Sequence, residues 1–387
     1  MKHPKSTSES LTRFARNGFG AHTILITGAA GYVGAMLVEK FAQRDDVERI
    51  IGIDKETMPD NFRDESKLVY LRLNTADEWE GKAREYHPDI VIHTAWQIRE
   101  MYGDQATEWK WNIEGSDKVF GFALGESSVE RLIHFSTVAS YGAYPTNTLE
   151  HRYTEDEPFR TMDYRYSEEK KICEEHLEER YEKSDRHTAV AVLRPAAITG
   201  PRGRYMRIRF GLQSALAGQL TGSFVYRVVS ALVAFVPTTP KWLRQFIHED
   251  DVVGIVERLA FGEKVGAYEV FNICPPGAVV RGADMAKAVG KHQLPIYPWM
   301  VRIPFFFFWH LTRGKIPTGR GAWKSYSYPI AVDGSKVTRK LGYTYRYAGL
   351  DAFQYTNGDY ESFVPEAQRK HPSTTSVGTL GYGAGKL

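Results

Sequence analysis

The sequence predicts an α/β protein built on a doubly wound parallel sheet, with a smaller, mixed C-terminal lobe. Three observations point there. Apolar, β-branched runs alternate with helical stretches from residue 22 to 195. The first run ends in a glycine-rich turn that opens a helix. The strand runs are apolar throughout rather than alternating, as strands covered on both faces are.

The elements follow in order. HTILITG is the first strand, GYVGAMLVEKFAQRDD a helix and RIIGID the second strand. LVYLRLN is the third strand, EWEGKAREYH a helix and DIVIHTA the fourth strand. A helix spans about 105–124, and RLIHFST is the fifth strand. Another helix covers about 166–183, and HTAVAVLRP is the sixth strand. After Pro195 glycine, proline and aromatic residues rise and the alternation becomes irregular. The expected division is a flexible tail over 1–20, a dinucleotide-binding domain over 21–195 and a substrate-binding lobe over 196–365. Segments of that lobe can return to the first domain. Residues 366–387, rich in Gly, Ser and Thr, form an expected disordered tail.

Composition bounds the function. Of 387 residues, 42% are apolar and 25% charged, which excludes wholesale disorder and a fibrous chain. Fifty Lys and Arg against 47 Asp and Glu leave +3, too even a balance to imply nucleic acid. Two cysteines, Cys173 and Cys274, build no disulfide framework; free thiols in a reducing cytoplasm are expected. The first 20 residues lack the apolar run of a signal peptide, and no stretch is long enough for a spanning helix. Two shorter apolar runs, 224–236 and 303–311, read as buried core, with a membrane-surface patch as the other reading.

The first strand leads into Gly28-Ala29-Ala30-Gly31-Tyr32-Val33-Gly34. Gly28 allows the sharp turn, Gly31 lets the backbone approach a pyrophosphate, and Gly34 lets the helix pack on the strand. The helix N-terminus turns free N–H groups and a positive dipole end toward the phosphates. Asp54 ends the second strand, twenty residues after Gly34. Its carboxylate accepts from ribose hydroxyls and repels a 2′-phosphate, so NAD is expected over NADP; the neighbouring Lys55 softens that repulsion. This is the signature of a Rossmann-type domain.

Tyr166-Ser167-Glu168-Glu169-Lys170 opens a predicted helix, 29 residues after Thr137 at the end of the fifth strand. One helical turn puts the Lys170 ammonium beside the phenol. A free phenol titrates near ~10, and a nearby cation favours the phenolate. Tyr166 can then exchange a proton with a substrate alcohol while hydride leaves its carbon, and Thr137 can hold the same oxygen. No metal ligand set is expected.

These residues together resemble the extended short-chain dehydrogenase/reductase family, the NAD-dependent epimerase/dehydratase group, over about residues 22–350. The matching pieces are TGAAGYVG, IGID, VIHTA, NIEGS, FSTVASYG, YSEEK, LRPAAITGPRG, FIHEDDV, FNI and DGSKVTRKLGY. The resemblance implies Tyr166 as acid/base, Lys170 as its activator and ribose anchor, and Thr137 as the substrate contact. It implies a cofactor site of Gly28, Ala30, Gly31, Tyr32, Val33, Gly34, Asp54, Lys55, Asn74, Thr94, Ala95, Trp96, Tyr166, Lys170 and Pro195. Asn112 is assigned a structural role beneath the site. Paired helices at 105–124 and 166–183 imply a homodimer.

Three departures narrow the reading. Val138-Ala139 follow Thr137 where dehydratases of the family carry Asp-Glu, which argues against elimination of water. Asn74 replaces the usual Asp at the adenine. Trp96 replaces a small residue and crowds the nicotinamide side of the pocket, where it joins Thr137 and Arg244 as a substrate contact. Arg202, Arg204, Arg207 and Arg209 read as solvated surface or as partners of a substrate diphosphate, and Arg244 stands where nucleotide-sugar enzymes of the family carry an arginine. The aromatic run 299–311, with Trp323, Tyr326 and Tyr328, reads as core, as rings that stack on a uracil base, or as a pocket for a flat apolar substrate. The leading expectation is a small-molecule enzyme, a nucleotide-sugar 4-epimerase-like oxidoreductase. The alternatives are a dehydrogenase for an apolar alcohol, 3β-hydroxysteroid-like, and a non-catalytic dinucleotide-binding protein.

Overall fold

A computed structural model describes residues 21–185, 187–205, 235–277, 279–288 and 290–372. Seven strands form the central sheet: β1 (His22–Thr27), β2 (Val47–Asp54), β3 (Leu68–Arg72), β4 (Ile90–His93), β5 (Arg131–Phe135), β6 (Ala189–Pro195) and β7 (Tyr268–Ile273). They lie in the order β7-β6-β5-β4-β1-β2-β3, and every neighbouring pair is parallel. The strand order reverses between β1 and β4, which opens a crevice beyond their carboxyl ends. The register sets Thr27 beside both Ile53 and His93, so Gly28, Asp54 and Thr94 emerge at one level.

The apolar strands are covered on both faces. Ile24 and Ile26 of β1 pack with Met36 and Phe41 of helix α1 (Tyr32–Ala42) and with Val252 and Val256 of a later helix. Leu25 faces the other way, toward Trp79, Phe120 and Leu177. There the helices are α2 (Gly115–Gly125) and α3 (Arg165–Lys183). The expected helix at 105–124 is present, with a wider turn at Lys110–Glu114 that carries Asn112.

Helix α3 is polar in sequence, with Cys173, Leu177 and Tyr181 as its buried apolar stripe. Its other buried contacts are polar. Asn112 Nδ2 donates to Glu169 (2.8 Å), Lys170 Nζ to the Phe135 carbonyl (2.5 Å) and Arg194 Nε to Glu174 (3.0 Å). Arg194 also donates to the Tyr141 hydroxyl (2.7 Å). These bonds fix the height and rotation of α3 on the sheet.

The chain after Pro195 is split between sheet and lobe. Helix α4 (Glu249–Phe261) and β7 belong to the main layers, β7 pairing with β6. The lobe itself holds two-stranded pieces, such as Phe235–Thr238 with His292–Pro295, and helix α5 (Pro298–Leu311).

Two readings of the apolar and basic runs are corrected. The run 303–311 is not simply core: Ile303, Phe306, Phe307 and Leu311 stand on the surface of α5, because only one side of that helix meets the lobe. Arg202 is not solvated; it is buried in an ion pair with Glu39 of α1. Residues 1–20, most of the run 224–236, Arg207, Arg209 and residues 373–387 lie outside the described part, as does the Arg204 side chain. Cys173 and Cys274 are buried free thiols.

Replacing Arg194 with Met leaves Glu174 as an uncompensated buried carboxylate, at a cost of about 3–5 kcal/mol in urea unfolding. Replacing Glu174 with Met in the same chain restores most of that loss, because no unpaired charge then remains.

Candidate active site

The glycine turn is built by close approach. Gly28 sits at φ +73°, and a Cβ there would lie 2.7 Å from the Ala95 amide nitrogen. A Cβ on Gly34 would lie 2.1 Å from the Gly28 carbonyl oxygen, so strand and helix touch through their backbones. A Cβ on Gly31 would meet only the Gly28 carbonyl, at 3.0 Å. Helix α1 begins at this glycine with no side-chain cap and no acidic residue in its first turn. That end is suited to an anion.

Asp54 joins the turn from β2. One carboxylate oxygen accepts from the Ala30 amide (3.0 Å), the other from the Glu56 amide (3.0 Å). Lys55 pairs with Glu56 (2.7 Å) and lies 4.9 Å from the Trp111 ring centre. The Tyr32 hydroxyl donates to Glu249, which also accepts from the Gly203 amide (3.0 Å), so the tyrosine ring is tied to the lobe side of the turn.

A cleft of about 590 Å³ runs from this turn past the ends of β4, β5 and β6. Gly28, Ala30, Gly31, Tyr32, Val33, Asp54, Lys55, Asn74, Thr94, Ala95, Trp96 and Pro195 line it. Thr137, Tyr166, Lys170 and Arg244 do too. Gly34 does not; it is buried under Gly28, where its role is packing. The Asn74 amide oxygen is already engaged by the Ala76 amide (2.9 Å).

At the chemical end, Thr137 and Tyr166 line the same stretch of the cleft. Burial raises the phenol above its ordinary range, and the Thr137 hydroxyl lowers it in part. The Lys170 ammonium is buried and brought down to about 8 by desolvation. It lies 3.6 Å from the centre of the Trp96 ring and donates to the Phe135 carbonyl. The ammonium is thus held by a π face and a carbonyl. Asn112 fixes the loop beyond Trp96: it accepts from the Gln97 amide (2.7 Å) and donates to the Gln97 carbonyl (3.2 Å).

Arg244 reaches the far end, donating to the Ser325 carbonyl (2.7 Å) with its guanidinium 5.4 Å from the Tyr326 ring centre. Sequence reasoning did not assign Ser136, Trp111 or Tyr164 to the site. Ser136 was open to discovery, since it precedes Thr137 at a strand end; its buried hydroxyl has no protein partner. Trp111 is aimed into the cleft by the wide turn that buries its neighbour Asn112, and no sequence period announces such a turn.

Neutralisation of Lys170 near its lowered value sets an alkaline limit. NAD affinity, measured by titration across pH, is expected to fall as pH rises through about 8. Lys170→Met removes that limb and lowers affinity at neutral pH.

Comparison with known proteins agrees with this geometry. Residues 24–274 match the NAD dependent epimerase/dehydratase family. An uncharacterized protein of Mycobacterium tuberculosis (strain H37Rv) is 24% identical over 338 residues, covering 85% of this chain and 82% of its own. The Bordetella bronchiseptica enzyme WbmG, solved in complex with NAD, superposes with a TM-score of 0.61 at 21% identity, covering 87% of this chain and 93% of that one. A UDP-glucose 4-epimerase from Thermotoga maritima, solved with UDP-glucose, gives 0.60 at 21% identity, covering 85% and 96%. The sheet order, the glycine turn and the family match over most of the folded part lead to one assignment: the chain belongs to the NAD-dependent epimerase/dehydratase family.

Proposed function

We propose that the protein is an NAD-dependent oxidoreductase of the extended short-chain type that works on a secondary alcohol, with a nucleotide-sugar 4-epimerase-like reaction as the leading activity. The observation that carries this reading is the convergence of Thr137, Tyr166 and Lys170 at the carboxyl ends of the strands, in one cleft that begins at the glycine turn.

The residues present fit a dinucleotide. Gly31 leaves room at the α1 N-terminus for a diphosphate, and Asp54 stands where a ribose diol can donate to it. Lys170 and Tyr166 lie at the opposite end of the same cleft. NAD, when bound, supplies a hydride acceptor at its nicotinamide carbon. Tyr166 as phenolate takes the proton of the substrate hydroxyl while the adjoining C–H bond breaks, which leaves a carbonyl. In the return direction the same phenol gives the proton back. Thr137 holds the oxygen at both stages, and Ser136 offers a second hydroxyl beside it. The Lys170 charge, buried at the same end of the cleft, favours the phenolate. Val138 and Ala139 supply no acid or base, so elimination of water is not part of the reading.

A second reading has its own support. Trp96, Ile98, Trp111, Ile198, Tyr326 and Ile330 make the wall largely apolar, which suits an apolar alcohol. Arg244 instead supports a diphosphate. With candidate substrates, an epimerase interconverts two alcohols without accumulating NADH, whereas a dehydrogenase accumulates it. The homodimer through the 105–125 and 165–183 helices belongs to the same proposal; sedimentation as a monomer at micromolar concentration removes it.

Tyr166→Phe is expected to lower turnover by ~10²–10⁴-fold with NAD affinity nearly unchanged. Full turnover by that variant overturns the catalytic role of the phenol.

A further inference from the structure

Helix α5, PWMVRIPFFFFWHL, is apolar on nearly every side. Val301 and Trp309 are buried, and Phe305 packs edge-on against Tyr326 of the cleft wall at 5.2 Å. The opposite arc carries Trp299 (61% exposed), Ile303 (50%), Phe306 (60%), Phe307 (56%) and Leu311 (78%). An all-round apolar helix belongs in a core or against lipid, and a continuous exposed patch of this kind marks an interaction surface.

Charge selects the partner. From Met285 to Val332 the sequence has lysines and arginines but no aspartate or glutamate. Arg302, Arg313, Lys315 and Arg320 are exposed in and just after the helix. Across a two-fold axis this rim would meet its own like charge, which opposes a second copy. Anionic headgroups complement it. Trp299 and Tyr297, both exposed, present the amphipathic rings that settle at headgroup level. At 14 residues the helix is too short to span, and among the described residues no helix is long and apolar enough to cross a membrane. Such a helix lies in the plane of the interface. The helix also reaches the cleft: Phe305 packs on Tyr326, which lines it.

We propose that α5 docks the protein on an anionic phospholipid bilayer, with the Trp299, Ile303, Phe306 and Phe307 arc among the acyl chains, the basic rim on the headgroups, and the cleft mouth beside the membrane.

The test is flotation of the full chain, with NAD, on phosphatidylcholine vesicles and on vesicles that also contain phosphatidylglycerol. Binding at least tenfold stronger to the anionic vesicles, weakened by added salt, is expected. Phe306→Ser combined with Phe307→Ser should reduce it at least tenfold, with thermal midpoint and NAD affinity retained. If the native protein stays unbound on anionic vesicles, the proposal fails, whatever the variant does. It fails also if a folded variant floats as well as the native chain. Equilibrium sedimentation that shows a dimer lost in the variant assigns the face to a second copy instead and overturns the lipid reading.

Discussion

The site depends first on how helix α3 is held against the sheet. Within six residues of that helix, Glu169, Lys170, Cys173 and Glu174 each meet a partner on another element: Asn112, the Phe135 carbonyl, His134 and Arg194. Each contact is buried, so each missing partner would leave a polar group without water or protein to satisfy it. A slide of α3 by one turn would break the whole set at once. Tyr166 is therefore held in the cleft beside Thr137 by this set of buried bonds. The sequence of α3 shows why this is needed: its apolar stripe is narrow, and apolar packing alone would fix its position loosely.

Trp96 gives the cleft its individual character. A large ring directly after β4 places a π face over the position where the lysine ammonium lies. Burial lowers the ammonium toward neutrality, and the ring face and the Phe135 carbonyl oppose that by favouring the charged form. The neighbouring imidazoles of His93 and His134 are buried too, and the lysine charge together with desolvation keeps both well below their ordinary value. The indole Nε1 is buried without a partner, a polar group left over by the way this ring is wedged in. Asn112, with its two bonds to the Gln97 backbone, keeps the loop from relaxing away.

The Rossmann half was legible because its rules are local. The G-x-x-G-x-x-G turn, the carboxylate at the end of β2 and the apolar strands each act on near neighbours, and the register of a parallel sheet then brings their ends to one level. Thr137 and Tyr166 could be placed at the crevice in the same way, since a strand end and a helix start define where they emerge. The lobe was less legible. Its strands are two to four residues long, too short to show a period, and β7 joins the main sheet from far along the chain.

The residue order alone decided the fold class, the dinucleotide turn and the residue types suited to proton exchange, because backbone geometry and side-chain chemistry at those places follow from a few adjacent residues. Only the tertiary structure decided where Lys170 rests, which side of α5 is left uncovered and that Arg202 is buried against Glu39. Each of these depends on what distant segments bring alongside. An aromatic run reads the same whether a core closes over it or not, and an arginine reads the same whether an acidic partner reaches it or not.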